Sequence, residues 1–301
     1  MQKLALPNAP RISVIDYNFD WILRDNYLNP RSSPGLLNLE EVISFCGTLD
    51  IDGLELMHSY WKNHKASYVK QITDNAGLPV ICYIFESDLI VPPKSSQTSV
   101  DHVFSLLDRT LEMGASLSMI IPGFVKPKIS LKEQRSWLLE NLCFCAEYAR
   151  SIGITLVTEN IDYPPVQPLM GLSTDCAGFA RQIDSKSFRL IYDSAAPIFV
   201  NENPLEALRK MSGYLAHVHF KNVRLVEADE EVERFLDSIE GQRYTGVSLG
   251  EGIVNLQTIL ANLHQIKYKG YLSIEYQGEK DPREVLSRDV TLIRQWYNHI
   301  I

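Results

Sequence analysis

The 301-residue chain reads as a (β/α)8 barrel, and three observations predict it. Short apolar runs alternate with amphipathic helical stretches eight times, the pattern of a parallel sheet covered by helices. The last four runs close on Glu159, Asp193, His219 and Glu275. The steps between those residues are 34, 26 and 56, the first two close to one unit of a barrel of ~250 residues in eight parts.

The elements follow in order. Arg11 to Asp16 is the first strand, leading into Tyr17, Asn18, Phe19 and Trp21. Leu37 to Leu49 has helical spacing, with Asn38 as N-cap and Glu40 and Glu41 in the first turn. Ile51 to Met57 is the second strand and ends at His58, Ser59, Tyr60 and Trp61. A helix near Lys65 to Ala76 stops at Gly77, and Leu78 to Phe85 is the third strand. A helix from about Ser99 to Met113 precedes the fourth strand, Ala115 to Ile121. Ser130 to Ser151 is a long helix opened by a Ser130/Glu133 capping pattern. Ile154 to Glu159 is strand five, followed by a proline-rich loop around Asp162. Thr174 to Ile183 is the next helix, Phe188 to Asp193 strand six, and Pro204 to Met211 the helix after it. Strand seven, Leu215 to Asn222, leads into a long loop to Val254 whose acidic piece, Ala228 to Glu240, is read as a solvated helix or lid. Asn255 to Ile266, Gly270 to Tyr276 and Pro282 to Tyr297 supply the last helix–strand–helix.

Composition narrows the function classes. The chain is 45% hydrophobic with no linker-like or low-complexity stretch, so residues 1–301 are expected to form one domain. A formal charge of −8 argues against nucleic acid as partner. The first ten residues lack the apolar core of a signal peptide, and no apolar run reaches the ~18 residues of a membrane span. Five scattered cysteines contain no Cys-x-x-Cys pair, which points to reduced thiols in a cytoplasmic protein. No dinucleotide fingerprint, Walker motif or nucleophile elbow is present.

The chemistry centres on Leu215-Ala-His-Val-His-Phe-Lys-Asn222. Side chains alternate along a strand, so His217 and His219 share a face while Val218 and Phe220 take the other. One histidine there is ordinary core; two, with three carboxylates at neighbouring strand ends, are not. Strand ends of a parallel barrel converge on one rim, where the active sites of this fold lie. Glu159, Asp193, His219 and Glu275 are hard, mostly oxygen ligands that suit Mn2+, and also Co2+ or Mg2+, better than a structural zinc. The competing reading pairs some of them with arginines such as Arg189 or Arg224. Glu55, inside strand two, is either a support to the metal ligands or a buried ion-pair partner. Trp21, Tyr60, Trp61, Phe85 and Phe124 follow strand ends and are either an apolar wall for a ligand or packing of the rim.

Six motifs carry a resemblance: Ile51-Asp-Gly-Leu-Glu-Leu, Thr158-Glu159-Asn160, Leu190-Ile-Tyr-Asp193, His217-Val-His219-Phe-Lys221-Asn, Leu249-Gly-Glu-Gly252 and Gly270-Tyr-Leu-Ser-Ile-Glu275-Tyr. In this order and spacing the chain resembles the sugar phosphate isomerase/epimerase superfamily of xylose-isomerase-like barrels, with ketose 3-epimerases, hydroxypyruvate isomerase and inosose dehydratase among its members. The resemblance implies that Glu159, Asp193, His219 and Glu275 hold one divalent metal, and that Glu159 and Glu275 are the catalytic acid–base pair. It places His217 behind the ligands and has Lys221 and Arg224 face the substrate. With His58 these are the candidate substrate-binding residues. Two positions depart from the pattern. Ala196 stands where epimerases often carry a sugar-contacting histidine, and Asn222 replaces the usual aspartate after Lys221.

The expected activity is a metal-dependent isomerase or epimerase acting on a sugar or related polyhydroxy carbonyl compound by proton abstraction. A lyase or dehydratase with the same enolate chemistry is the alternative. An apurinic-site endonuclease and a non-catalytic barrel subunit are further readings. The expected partner is a small carbohydrate, with neither nucleic acid nor membrane, and a homo-oligomer is compatible with the composition.

Overall fold

A computed structural model describes residues 10–23, 37–160 and 169–300. The first nine residues, expected to carry no signal peptide, and the proline-rich loop expected around Asp162 fall outside those residues. Seven strands come first: β1 (Arg11–Ile15), β2 (Gly53–Met57), β3 (Val80–Glu86), β4 (Leu117–Ile121), β5 (Thr155–Glu159), β6 (Phe188–Asp193) and β7 (Leu215–Phe220). After an excursion containing β8 (Asn222–Leu225), β9 (Leu236–Asp237) and β10 (Arg243–Val247), β11 (Tyr271–Ile274) is the eighth barrel strand. The barrel closes in the order β1-β11-β7-β6-β5-β4-β3-β2, with every pairing parallel. These strands read as nearly continuous apolar runs because helices cover the outside and side chains fill the inside. All five residues of β2 are buried, the glutamate among them.

Apart from the 228–240 piece, the expected helices form with ends within three residues of those predicted. Asn38 caps Leu39–Cys46 through a reciprocal bond pair with Glu41, each 2.8 Å. Ser130 Oγ accepts from the Glu133 amide at 3.2 Å, but the Glu133 carboxylate bonds the Ser130 hydroxyl rather than its amide. That is half of the expected capping box. Among the described residues no helix is long and apolar enough to cross a membrane.

The acidic stretch 228–240 corrects the expectation of a helix. β8, β10 and β9 form a small antiparallel sheet in that order. Within 228–240 only Leu236–Asp237 is strand, and Arg234 and Leu236 are drawn inward to Asp20 and the cavity, which denies the stretch the continuous polar face of a solvated helix. Asn222 roots this excursion. Its Nδ2 donates to Leu249 O (2.7 Å) and Val254 O (3.1 Å), and its Oδ1 accepts from Val254 N (2.9 Å). A Cβ at Gly252 would collide with Asn222 Oδ1, which explains the glycine in Leu249-Gly-Glu-Gly252.

Two contacts join distant parts of the chain above the rim. Arg234 forms a buried ion pair with Asp20, and its guanidinium lies 5.5 Å from the Trp21 ring centroid. Its backbone amide donates to Glu279 Oε1 at 2.9 Å. At the closing seam, Asn18 Nδ2 donates to Ile274 O (2.8 Å) while Asn18 Oδ1 accepts from Tyr276 N (2.6 Å).

Candidate metal centre at the barrel rim

A cavity of about 310 Å³ opens at the carboxyl-terminal end of the barrel. Glu159, His219, Lys221 and Glu275 line its floor, and Tyr17, Asp20, Glu86 and Gln277 its polar walls. Aliphatic side chains, including Ile15, Met57, Ile121 and Leu236, complete the lining. A larger hollow of about 600 Å³ at the opposite end has Arg11, Lys267 and Lys269 among its lining and no carboxylate. The chemistry therefore belongs to the smaller cavity.

Three ligand-type residues meet closely there. His219 Nδ1 lies 3.0 Å from Glu159 Oε2 and 3.2 Å from Glu275 Oε2. The strand register produces this meeting, since His219 pairs with Ser273 on β11 and with Asp193 on β6. Asp193 stands just outside the close group. Its Oδ1 accepts from the amides of Ala195 (2.6 Å) and Ala196 (3.1 Å), and its Oδ2 is 3.3 Å from Lys221 Nζ. The same ammonium is 3.1 Å from Glu275 Oε1, so Lys221 bridges the two carboxylates in a buried position.

These neighbours set the protonation states. Burial pushes the Glu159 carboxyl up to about 7, and the charges of Glu275 and Asp193 add to the effect against the hydrogen bond from His219. Burial acts the same way on Glu275, but the Lys221 ammonium and His219 outweigh it and hold that carboxyl at about 2. His219 is raised well above its ordinary value by Glu55, Glu159 and Glu275, despite burial that favours its neutral form.

A divalent cation fits this donor set. The lone pairs of His219 Nδ1 and two carboxylates converge at about 3 Å, an arrangement that repels itself unless a proton or a cation sits between them. Carboxylate oxygen with imidazole nitrogen is the chemistry of Mg2+, Mn2+ and Co2+ sites.

The other expected site residues are placed differently. Lys221 is on the cavity floor. His217 is fully buried beneath the floor, with Nε2 2.7 Å from Glu55 Oε1. His58 lies outside the lining; its Nδ1 is 2.8 Å from Tyr83 Oη, within a cluster tied to Arg109. Arg224 sits on β8 in an ion pair with Glu230, also outside the lining. Ala196 is buried and meets the site through its amide bond to Asp193. The expected aromatic wall does not form. Tyr60, Trp61 and Phe85 pack in the core, where Trp61 Nε1 donates to Asp16 Oδ2 at 2.8 Å, and Phe124 is exposed. Tyr17, Asp20 and Gln277 line the cavity without having been singled out as site residues; all three follow strand ends.

The fold and the site together define a (β/α)8 barrel with a carboxylate–imidazole centre at its carboxyl-terminal rim. Residues 43–296 match the xylose isomerase-like TIM barrel family, and the chain belongs to it. Inosose dehydratase from Geobacillus thermodenitrificans is 23% identical over 263 residues, covering 82% of this chain and 84% of that protein. The structure of L-ribulose 3-epimerase superimposes with a TM-score of 0.73 at 16% identity, covering 97% of this chain and 95% of that one. A xylose isomerase-like TIM barrel protein from Mycobacterium smegmatis in complex with magnesium gives 0.70 at 15% identity, covering 97% and 98%.

Proposed function

We propose that this protein is a divalent-metal-dependent enzyme that removes the proton next to the carbonyl of a sugar, cyclitol or related polyhydroxylated compound. The observation that carries this reading is the convergence of His219 Nδ1, Glu159 Oε2 and Glu275 Oε2 on the cavity floor. Glu159, Asp193, His219 and Glu275 would hold the ion, which supplies Lewis-acid polarisation of the substrate carbonyl and so acidifies its neighbouring C–H.

The chain's own groups divide the rest of the work. Glu159 and Glu275 stand on strand ends separated by β6 and β7, so they approach a compound in the cavity from different sides. One carboxylate takes the proton and the other returns one, which isomerises or epimerises the substrate. Lys221 keeps Glu275 ionised beside the floor. Gln277 lines the wall with an Oε1 that has no hydrogen-bond partner among the described residues, a spare acceptor for a substrate hydroxyl. Leu236 and the aliphatic lining limit water at the reacting carbon.

Dehydration is the second reading. Inosose dehydratase is similar along four-fifths of the chain. In that reading the group that would return a proton to carbon gives it to the departing hydroxyl instead. Both readings share the first step, and one experiment tests it. Metal-loaded enzyme is screened in D2O against ketoses, inososes and 3-keto-glycosides. Solvent deuterium is expected at the carbon α to the carbonyl, with kcat lowered ~10^2- to 10^4-fold in Glu159→Gln and Glu275→Gln. Product carrying no solvent deuterium under single-turnover conditions would indicate hydride shift and end the two-base account.

A further inference from the structure

The glutamate in the middle of β2 is fully buried, and no lysine or arginine hydrogen-bonds to it among the described residues. Its two oxygens are instead divided between two imidazoles on β7. Glu55 Oε1 is 2.7 Å from His217 Nε2, and Glu55 Oε2 is 3.3 Å from His219 Nε2. We propose that Glu55 is a positioning residue for the metal centre, one that dictates which nitrogen of His219 is offered to the ion. The proposal rests on the metal reading given above.

An ionised carboxylate only accepts hydrogen bonds, so each Nε2 facing Glu55 must carry the hydrogen. A neutral His219 protonated at Nε2 keeps its lone pair on Nδ1, the nitrogen that meets Glu159 and Glu275. The other tautomer would satisfy those two glutamates and block the ion. It would also turn a bare Nε2 lone pair onto Glu55 Oε2 in a dry interior, an expensive arrangement. Glu55 thus disfavours the tautomer that cannot bind metal, and its charge makes the ring a stronger ligand.

His217 completes the device. Its ring stands at 89° to that of His219 with centroids 5.4 Å apart, which blocks rotation of the ligand ring on that side. His217 Nδ1 is buried without a partner among the described residues, as expected of an imidazole recruited only for its Nε2–H. The competing role is purely structural, a polar tie between β2 and β7, and it makes a different prediction.

Mn2+ affinity is measured by calorimetry on the full chain for wild type, Glu55→Gln, Glu55→Ala and His219→Ala. Folding of each metal-free variant is checked by circular dichroism, and the visible spectrum of each Co2+-loaded form is recorded. Losing an outer hydrogen-bond partner weakens metal binding roughly 10–100-fold. Glu55→Gln, which keeps one acceptor oxygen, is expected near the lower figure and Glu55→Ala near the upper. The Co2+ spectrum should change in both, because the ligand ring is no longer held. Folded Glu55→Gln that binds Mn2+ within twofold of wild type, with an unchanged Co2+ spectrum, would reduce Glu55 to a structural tie and overturn the proposal. Glu55→Gln decides the matter if Glu55→Ala does not fold. Wild type that binds no Mn2+, or His219→Ala that binds as tightly as wild type, would instead remove the metal reading itself.

Discussion

Lys221 Nζ lies 3.1 Å from Glu275 Oε1 and 3.3 Å from Asp193 Oδ2, so one buried ammonium serves two members of the expected ligand set. Burial favours the neutral form of Glu275, and Lys221 with His219 reverses that preference. Lys221→Met removes the largest opposing charge. The Glu275 carboxyl is then easier to protonate, and the acidic limb of the kcat/KM profile should move to higher pH. An opposite charge at this range shifts a carboxyl by roughly 1–3 units, so a displacement of about one unit or more is expected. Superimposable pH–rate profiles for wild type and variant would count against any such role for Lys221.

His219→Ala and Asp193→Ala should both weaken the binding of Mn2+ or Co2+ by more than the roughly 10–100-fold typical of losing an outer partner. Asp193 carries the greater interest, since its Oδ1 is already engaged by the Ala195 and Ala196 amides. Equilibrium dialysis with metal analysis reads the outcome. Undiminished affinity in Asp193→Ala alone would leave a three-residue site of Glu159, His219 and Glu275.

Asp289 offers a test of pH-dependent stability away from the ligands. It is buried, accepting from Ser248 Oγ and from Leu249 N at 3.1 Å, and burial pushes its carboxyl from 3.8 up to about 6 despite those donors. A raised folded-state value means that the stabilising contribution is complete below about pH 4 and is lost as pH rises through about 6. The unfolding free energy of wild type relative to Asp289→Asn should therefore fall across that window, by at most ~3 kcal/mol for a shift of about two units. Urea denaturation at half-unit steps measures it, and a difference that stays flat or rises with pH would contradict the assignment.

The Asp20–Arg234 pair invites a double-mutant cycle. Arg234→Ala removes the guanidinium that faces the buried Asp20 carboxylate, at an expected cost of roughly 3–5 kcal/mol. Asp20→Asn combined with Arg234→Ala should recover part of that loss, because the buried charge that the guanidinium faced is gone. Asp20 and Leu236 both line the cavity, so KM should rise in Arg234→Ala more than kcat falls. Additive stabilities in the thermal melts would show that the pair contributes no coupling.

Much of the barrel was legible in the sequence, because apolar runs of strand length and capped amphipathic stretches are local signals. Asn38 with Glu41 and Pro204 after Asn203 mark helix starts within four residues of chain. Strand-end carboxylates could be read as well, since a parallel barrel brings such ends to one rim. What escaped was orientation and partnership at long range. Alternation turns Glu55 toward the interior, but nothing local says that it meets His217, 162 residues onward. The acidic composition of 228–240 suggested a solvated helix or a lid, and it is no helix: Arg234 and Leu236 there reach inward to Asp20 and the cavity. Trp61 and Phe85 show the reverse. An aromatic after a strand end carries no label for the side of the sheet it will take, and both turned into the core.

Asn18 grips the backbone on both flanks of Glu275, through Ile274 O and Tyr276 N. The last carboxylate of the centre, already held against β7, is thus braced by a residue 257 positions earlier, and that brace forms only when the first strand docks on the eighth. A chain whose β1–β11 seam has parted keeps Glu159, Asp193, His219 and Glu275 on or beside adjoining strands but loses the brace on the fourth of them. If the centre holds an ion as proposed, its affinity would report on ring closure. Any ion bound preferentially to the closed form would act as a clasp, adding its binding free energy to the stability of the whole barrel rather than of one quadrant.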